Sequence, residues 1–108
     1  MAESPKYSVS DFITVANHAL DYTFPDCVVY GEVANFTVNQ NRWIFFGLQD
    51  QESVISCFMV ASSLRTPIEN GMKIAVQATP KIFNRSGRFT LTIKQYACLL
   101  HTSTAAAY

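Results

Sequence analysis

Histidine, cysteine, glycine and charge are all scarce in this chain, and each shortage removes a class of function. The two histidines, His18 and His101, lie near opposite ends, so no neighbouring pair is on offer for a metal ion or a general base. Three cysteines, Cys27, Cys57 and Cys98, stand 30 and 41 residues apart, which suits neither a disulfide framework nor a set of zinc ligands. They read as reduced packing residues, and neither a metal nor another cofactor is expected. The four glycines form no phosphate-cradling loop, and the carboxylates are scattered. With no activated nucleophile in view, catalysis by this chain is not expected. No apolar run nears the roughly 20 residues that span a bilayer, and residues 1–7 lack the basic start and apolar stretch of a secretory signal. A soluble, cytoplasmic protein with no membrane partner is the expectation.

What is present is enough for one core. The 108 residues are 49% apolar and 13% aromatic against 15% charged, a composition that folds and does not match a disordered chain. The eight bases and eight acids cancel, but their order along the chain is uneven. Residues 1–69 hold all eight acids and three bases, whereas residues 70–108 hold Lys73, Lys81, Arg85, Arg88 and Lys94 with no acid. Such asymmetry fits a polyanion partner and equally fits a solubilising pattern.

Periodicity divides the chain. Ser8 or Ser10 can cap a helix, after which Val9, Phe12, Ile13, Ala16 and Leu20 recur at spacings of three and four, an amphipathic helix that Pro25 brings to an end. The period then becomes two. Strands are predicted around residues 28–33, 42–49, 54–60, 72–78 and 89–93, with a loop at 37–41, a turn at 50–53, a short helical link in 61–69 and turn signals at 70–71 and 84–87. The domain reading is a lead over 1–8, a helix over 9–24, a barrel over 27–100 and a flexible tail over 101–108 that marks a fragment end. The fold class is all-β, a five-stranded Greek-key barrel of the oligonucleotide/oligosaccharide-binding (OB) type behind an N-terminal helix. An SH3-like barrel or half of a sandwich has the same strand count. Closure aims Val29, Val33, Phe46, Leu48, Ile55, Cys57, Met59, Ile74, Val76, Leu91 and Ile93 inward.

Alternation leaves large rings outside. If Ile44, Phe46 and Leu48 face the core, Trp43, Phe45, Gly47 and Gln49 face out; on the next strand Ser56 and Phe58 do the same. Three exposed rings are either a platform or are covered, for instance by the N-terminal helix. As a platform they stack nucleobases while nearby cations hold the backbone. Lys81, Phe83, Arg85, Arg88 and Phe89 interleave charge with rings around the 84–87 turn, and Asn35, Phe36 and Arg42 flank the other loop. A solvated hairpin tip accounts for the same charges.

The motifs YSVSDF (7–12), GEVANF (31–36), LQD (48–50), CFM (57–59), NGM (70–72) and FNRSGRF (83–89) carry a resemblance in order and spacing. Over residues 7–96 the chain resembles the N-terminal domain of the exodeoxyribonuclease VII large subunit. The resemblance implies an OB-fold that binds single-stranded DNA and feeds it to a nuclease region beyond this chain, with the small subunits as partners of the parent protein. The family usually has Ser at the position of Ala34, His at Trp43, Lys at Gln49 and often Arg at Ser56, so two cations are missing from this face and an indole is added. The resulting candidate contacts are Asn35, Phe36, Arg42, Trp43, Phe45, Ser56, Phe58, Lys81, Phe83, Arg85 and Arg88. The competing use of the rings is a protein-interaction or oligomerisation module.

Overall fold

A computed structural model describes residues 3–99. The expected tail at 101–108 lies outside the described residues, as does His101.

The helix, α1, runs Val9–Thr23. Ser8 begins it: its hydroxyl accepts the Asp11 N–H at 3.0 Å, satisfying one of the donors a helix start leaves unpaired, and the Asp11 carboxylate sits favourably in the first turn. The Phe24 N–H closes the other end on the Leu20 carbonyl at 2.7 Å. Ile13 is the helix's buried residue. The helix packs against the fourth strand, where the Asn17 amide donates to the Ile82 carbonyl at 3.0 Å and its oxygen accepts the Ile82 N–H at 2.8 Å.

Five strands follow: β1 Cys27–Asn39, β2 Trp43–Gln49, β3 Val54–Val60, β4 Lys73–Ile82 and β5 Phe89–Cys98. They close into a barrel in the order β1-β2-β3-β5-β4, with β4 returning to β1. All pairs are antiparallel except β3 with β5, joined in parallel at Cys57 with Leu91 and Phe58 with Thr92. Crossing from β3 to β4 takes a single 3₁₀ turn, Ala61–Ser63, and a connection whose Ile68 is buried in the core. The Tyr96 hydroxyl accepts the Arg65 and Thr66 N–H groups, each at 2.9 Å, and so ties that connection to β5.

The core is the predicted inward set with additions. Val33, Ile44, Phe46, Leu48, Cys57, Met59, Ile74, Val76, Leu91 and Ile93 are buried, joined by Ile68 and Ala78. Val29 and Ile55 pack against it, partly exposed. Burial pushes the Cys57 thiol up to about 12, as expected of a packing residue that stays protonated.

Three strands run past their expected ends: β1 to Asn39, β4 to Ile82 and β5 to Cys98. Residues 37–39, expected in a loop, continue β1 and pair Thr37 with Phe45, Val38 with Ile44 and Asn39 with Trp43. A bulge between Ala34 and Thr37 makes this possible, with Asn35 in the left-handed region at φ 57°. The chain then reverses within a tight turn, where Gln40 and Asn41 both have φ 54° and the Arg42 N–H reaches the Asn39 carbonyl at 2.9 Å. Beyond the bulge the strand projects with Thr37, Val38 and Asn39 all exposed, so no alternation marks it. The β4–β5 hairpin is also longer than predicted, because its last pairs, Lys81 with Thr90 and Ile82 with Phe89, reach to the edge of the 83–88 turn.

Candidate nucleic-acid interface

On β2 the buried residues are Ile44, Phe46 and Leu48, and on β3 Cys57 and Met59. The pleat therefore sends Trp43, Phe45 and Gly47 from β2, and Ser56 and Phe58 from β3, to the outer face. Register does the rest: Phe45 lies opposite Phe58, and Gly47 opposite Ser56. Phe58 becomes the hub of a ring cluster, 5.2 Å from Phe45 and 5.8 Å from Trp43 by ring centroids. Phe83 joins from the turn after β4, edge-on to Phe58 at 6.0 Å and 85°. All four rings are half-buried, packed on each other with part of each open to solvent. The helix, docked on β4, does not seal them.

Cations border the cluster. The Arg42 guanidinium sits 5.1 Å from the centroid of the Trp43 ring, a cation–π contact that holds its charge at the end of the platform. Across the face the 83–88 turn is rigidly built. Phe83 N–H donates to the Arg88 carbonyl at 3.0 Å, Gly87 N–H to the Phe83 carbonyl at 2.8 Å, and Arg88 N–H to the Ser86 hydroxyl at 3.1 Å. Gly87 supplies the φ of +70° that the reversal needs. Between turn and hairpin lies a groove of about 450 Å³, bordered by Phe45, Phe83, Gly47, Ser56, Arg88 and, from the β1 bulge, Asn35.

The sequence candidates thus fall into groups. Arg42, Trp43, Phe45, Phe58 and Phe83 form one cluster, and Asn35, Ser56 and Arg88 share the groove with Phe45 and Phe83. Lys81 lies on the β4 edge of the same region, paired with Thr90, and Arg85 is exposed within the turn. Phe36 goes elsewhere. Its ring stacks on buried Phe46 at 6.2 Å and 26°, and its N–H donates to the Asn70 side chain at 2.9 Å. The bulge turns it toward the core, a displacement that strict alternation does not foresee. Nor does the whole basic half converge: Lys94 pairs with Asp26 at 3.0 Å and holds that carboxyl below its ordinary value, while Lys73 lies opposite Glu32.

The groove also contains residues outside the sequence candidates, among them Val54, Ser86, Gly47 and Thr90. Alternation points Gly47 outward, and its lack of a side chain is what opens the floor between Phe45 and Gln49; a methyl there would come within 3.1 Å of Val54. Counting back from inward Leu91 places Thr90 outside, on the same groove as Ser56. A larger depression of about 640 Å³ lies on another part of the barrel, around Val28, Tyr30 and Lys73, and includes none of the ring cluster. Among the described residues no group of three His, Cys, Asp or Glu side chains is placed to hold a metal ion, and no helix is long and apolar enough to cross a membrane.

A family of sequences described as the OB-fold nucleic acid binding domain matches residues 7–97. The chain belongs to this family. Among curated proteins, the OB domain is 33% identical over 90 residues to the exodeoxyribonuclease 7 large subunit of Ruminiclostridium cellulolyticum, covering 79% of this chain and 22% of that protein. It is 32% identical over 100 residues to the same subunit of Nitratiruptor, covering 90% and 23%. With the Ruthia magnifica subunit it shares 28% over 92 residues, 82% of this chain and 20% of that one. The chain spans about a fifth of the length of these relatives. Among solved structures, a chain from a replication protein A heterotrimer bound to single-stranded DNA superposes with a TM-score of 0.59 at 16% identity, covering 70% of this chain and 58% of that chain. At that identity the likeness is one of fold.

Proposed function

We propose that this OB domain binds single-stranded DNA and would deliver it to the nuclease region of an exodeoxyribonuclease VII large subunit, in the cytoplasm and alongside the small subunits of that enzyme. The observation that carries this reading is the Trp43–Phe58–Phe45–Phe83 cluster on the outer face of β2 and β3, with Arg42 at one end and Arg88 across the groove. Aromatic faces stack on any base and contribute about 1–3 kcal/mol each, which a duplex with its bases already stacked does not exploit. Arg42, Lys81, Arg85 and Arg88 supply the backbone contacts. The likeness to exodeoxyribonuclease 7 large subunits over most of the chain, and to a protein solved with single-stranded DNA, supports the choice of ligand.

The test is fluorescence anisotropy with a labelled single-stranded oligonucleotide over a range of salt. Four phosphate contacts predict a slope of about −3 for log affinity against log salt. A Trp43→Ala, Arg88→Ala double variant should lose at least tenfold in affinity. Absence of binding at low salt, or an unchanged double variant, refutes the proposal. If the rings instead meet a protein, sedimentation will show a stable dimer in which Trp43 is buried.

A further inference from the structure

The Thr90 hydroxyl has no hydrogen-bond partner although the residue is only 1% exposed. Leaving such a group unpaired is costly, and buried orphans of this kind call for an explanation. Position supplies one. Thr90 is the buried polar residue of the described chain, and it borders the groove between Gly47, Ser56 and the 83–88 turn. It faces the outer side of the barrel: Leu91 and Ile93 point into the core, and Thr90, one residue before the parallel pair Cys57–Leu91, lines the groove together with Ser56. Lys81 is its antiparallel partner on β4. The groove therefore has an apolar mouth of rings, a floor emptied by Gly47, and one unsatisfied hydroxyl at depth.

We propose that the groove takes one nucleobase of the bound strand edge-on, and that Thr90 hydrogen-bonds its polar edge, making the domain selective for base identity at that one nucleotide. This inference rests on the single-stranded DNA reading and goes beyond it, since stacking on the rings alone is indifferent to sequence. A hydroxyl both donates and accepts, so it can meet a carbonyl or a ring nitrogen of a base. It is covered in the unliganded chain, and Ser86 and Arg88, which share the groove, are exposed side chains that an entering base can displace. Selectivity arises because a base with no matching group at that depth leaves the hydroxyl unpaired, whereas the matching base relieves it.

The experiment compares wild type, Thr90→Val and Thr90→Ser on four labelled homo-oligonucleotides of equal length at one salt concentration. Wild type should prefer at least one base over the weakest by about five- to tenfold, the range expected of a single hydrogen bond. Thr90→Val keeps the shape, removes the hydroxyl and should bring the four affinities within about twofold, with the weakest ligand unchanged. Thr90→Ser should restore the spread. Urea unfolding without DNA should find Thr90→Val no less stable than wild type, because its methyl replaces an orphan. Equal affinity of wild type for all four, or an unchanged spread in Thr90→Val, overturns the base-reading role while leaving DNA binding standing. Failure of wild type to bind any of the four overturns both.

Discussion

Replacing Phe58 with alanine removes the centre of the outer-face cluster and should both destabilise the barrel and weaken the ligand platform. The magnitude follows from its neighbours. Phe58 meets Phe45, Trp43 and Phe83 at 5.2, 5.8 and 6.0 Å, and each such ring pair contributes about 0.5–1.5 kcal/mol beyond simple burial. Complete burial of a phenylalanine makes its truncation cost about 3–5 kcal/mol, but this ring is half-exposed and its site can relax toward solvent, so about 2–3 kcal/mol is expected. That is a large share of the stability of a small domain. Equilibrium urea unfolding measures it directly, and the chain carries its own probe, because Trp43 is the sole tryptophan and packs on the deleted ring. Phe58→Leu should recover about half of the loss by restoring apolar area without the ring geometry. A loss below about 1 kcal/mol for Phe58→Ala, with circular dichroism and Trp43 fluorescence reporting the same transition, would show that the rings do not pack as a unit.

Other perturbations test other joints of the structure. Gly31→Ala should cost about 1–3 kcal/mol in urea unfolding, because its methyl would stand 2.8 Å from the Gln49 carbonyl oxygen, a backbone atom that cannot rotate aside; an unchanged midpoint would refute the close approach of β1 to β2. Alkylation of the native protein at mildly alkaline pH should label exposed Cys98 first and spare Cys57, whose burial holds the thiol protonated, until the chain unfolds. Labelling of Cys57 at the rate of Cys98 would contradict the closed barrel. The Asp50 carboxylate accepts the Glu52 and Ser53 N–H groups at 2.8 Å each, and these bonds hold its folded pKa below the ordinary 3.8. Its contribution is therefore present above the unfolded value and lost as pH falls from about 4 through the lower folded value. Asp50→Ala should flatten that part of the acid-unfolding curve, and an identical acid limb in the variant would refute the assignment.

Much of this molecule was legible in its sequence because the information was local and periodic. A two-residue period fixes which side chains of β2 and β3 face the core, so the outward placement of Trp43, Phe45 and Phe58 needed no coordinates. Ser8 and Ser10 before an i, i+3, i+4 pattern narrow the start of the helix to two positions for the same reason, and the structure selects Ser8. What interrupts a period is invisible to it. The bulge at Asn35 carries β1 six residues past its expected end and turns Phe36 onto Phe46, away from the loop flank expected of it beside Asn35 and Arg42. Charge order along the chain is equally silent about place. Of the five cations after residue 70, strand direction sends Lys73 and Lys94 away from the 83–88 turn, and Lys94 finds Asp26.

The sequence by itself determined the alternation on β2 and β3, the helical periodicity and the turn signal at 84–87, since each depends on residues within a few positions of one another. Tertiary structure alone decided that Phe83 would meet Phe58, that Ser56 and Thr90 would line one groove, and that a hydroxyl would be buried there without a partner. Those meetings depend on barrel closure and on the parallel β3–β5 register, which couple segments some 25 to 34 residues apart, and no local propensity encodes a contact across that distance.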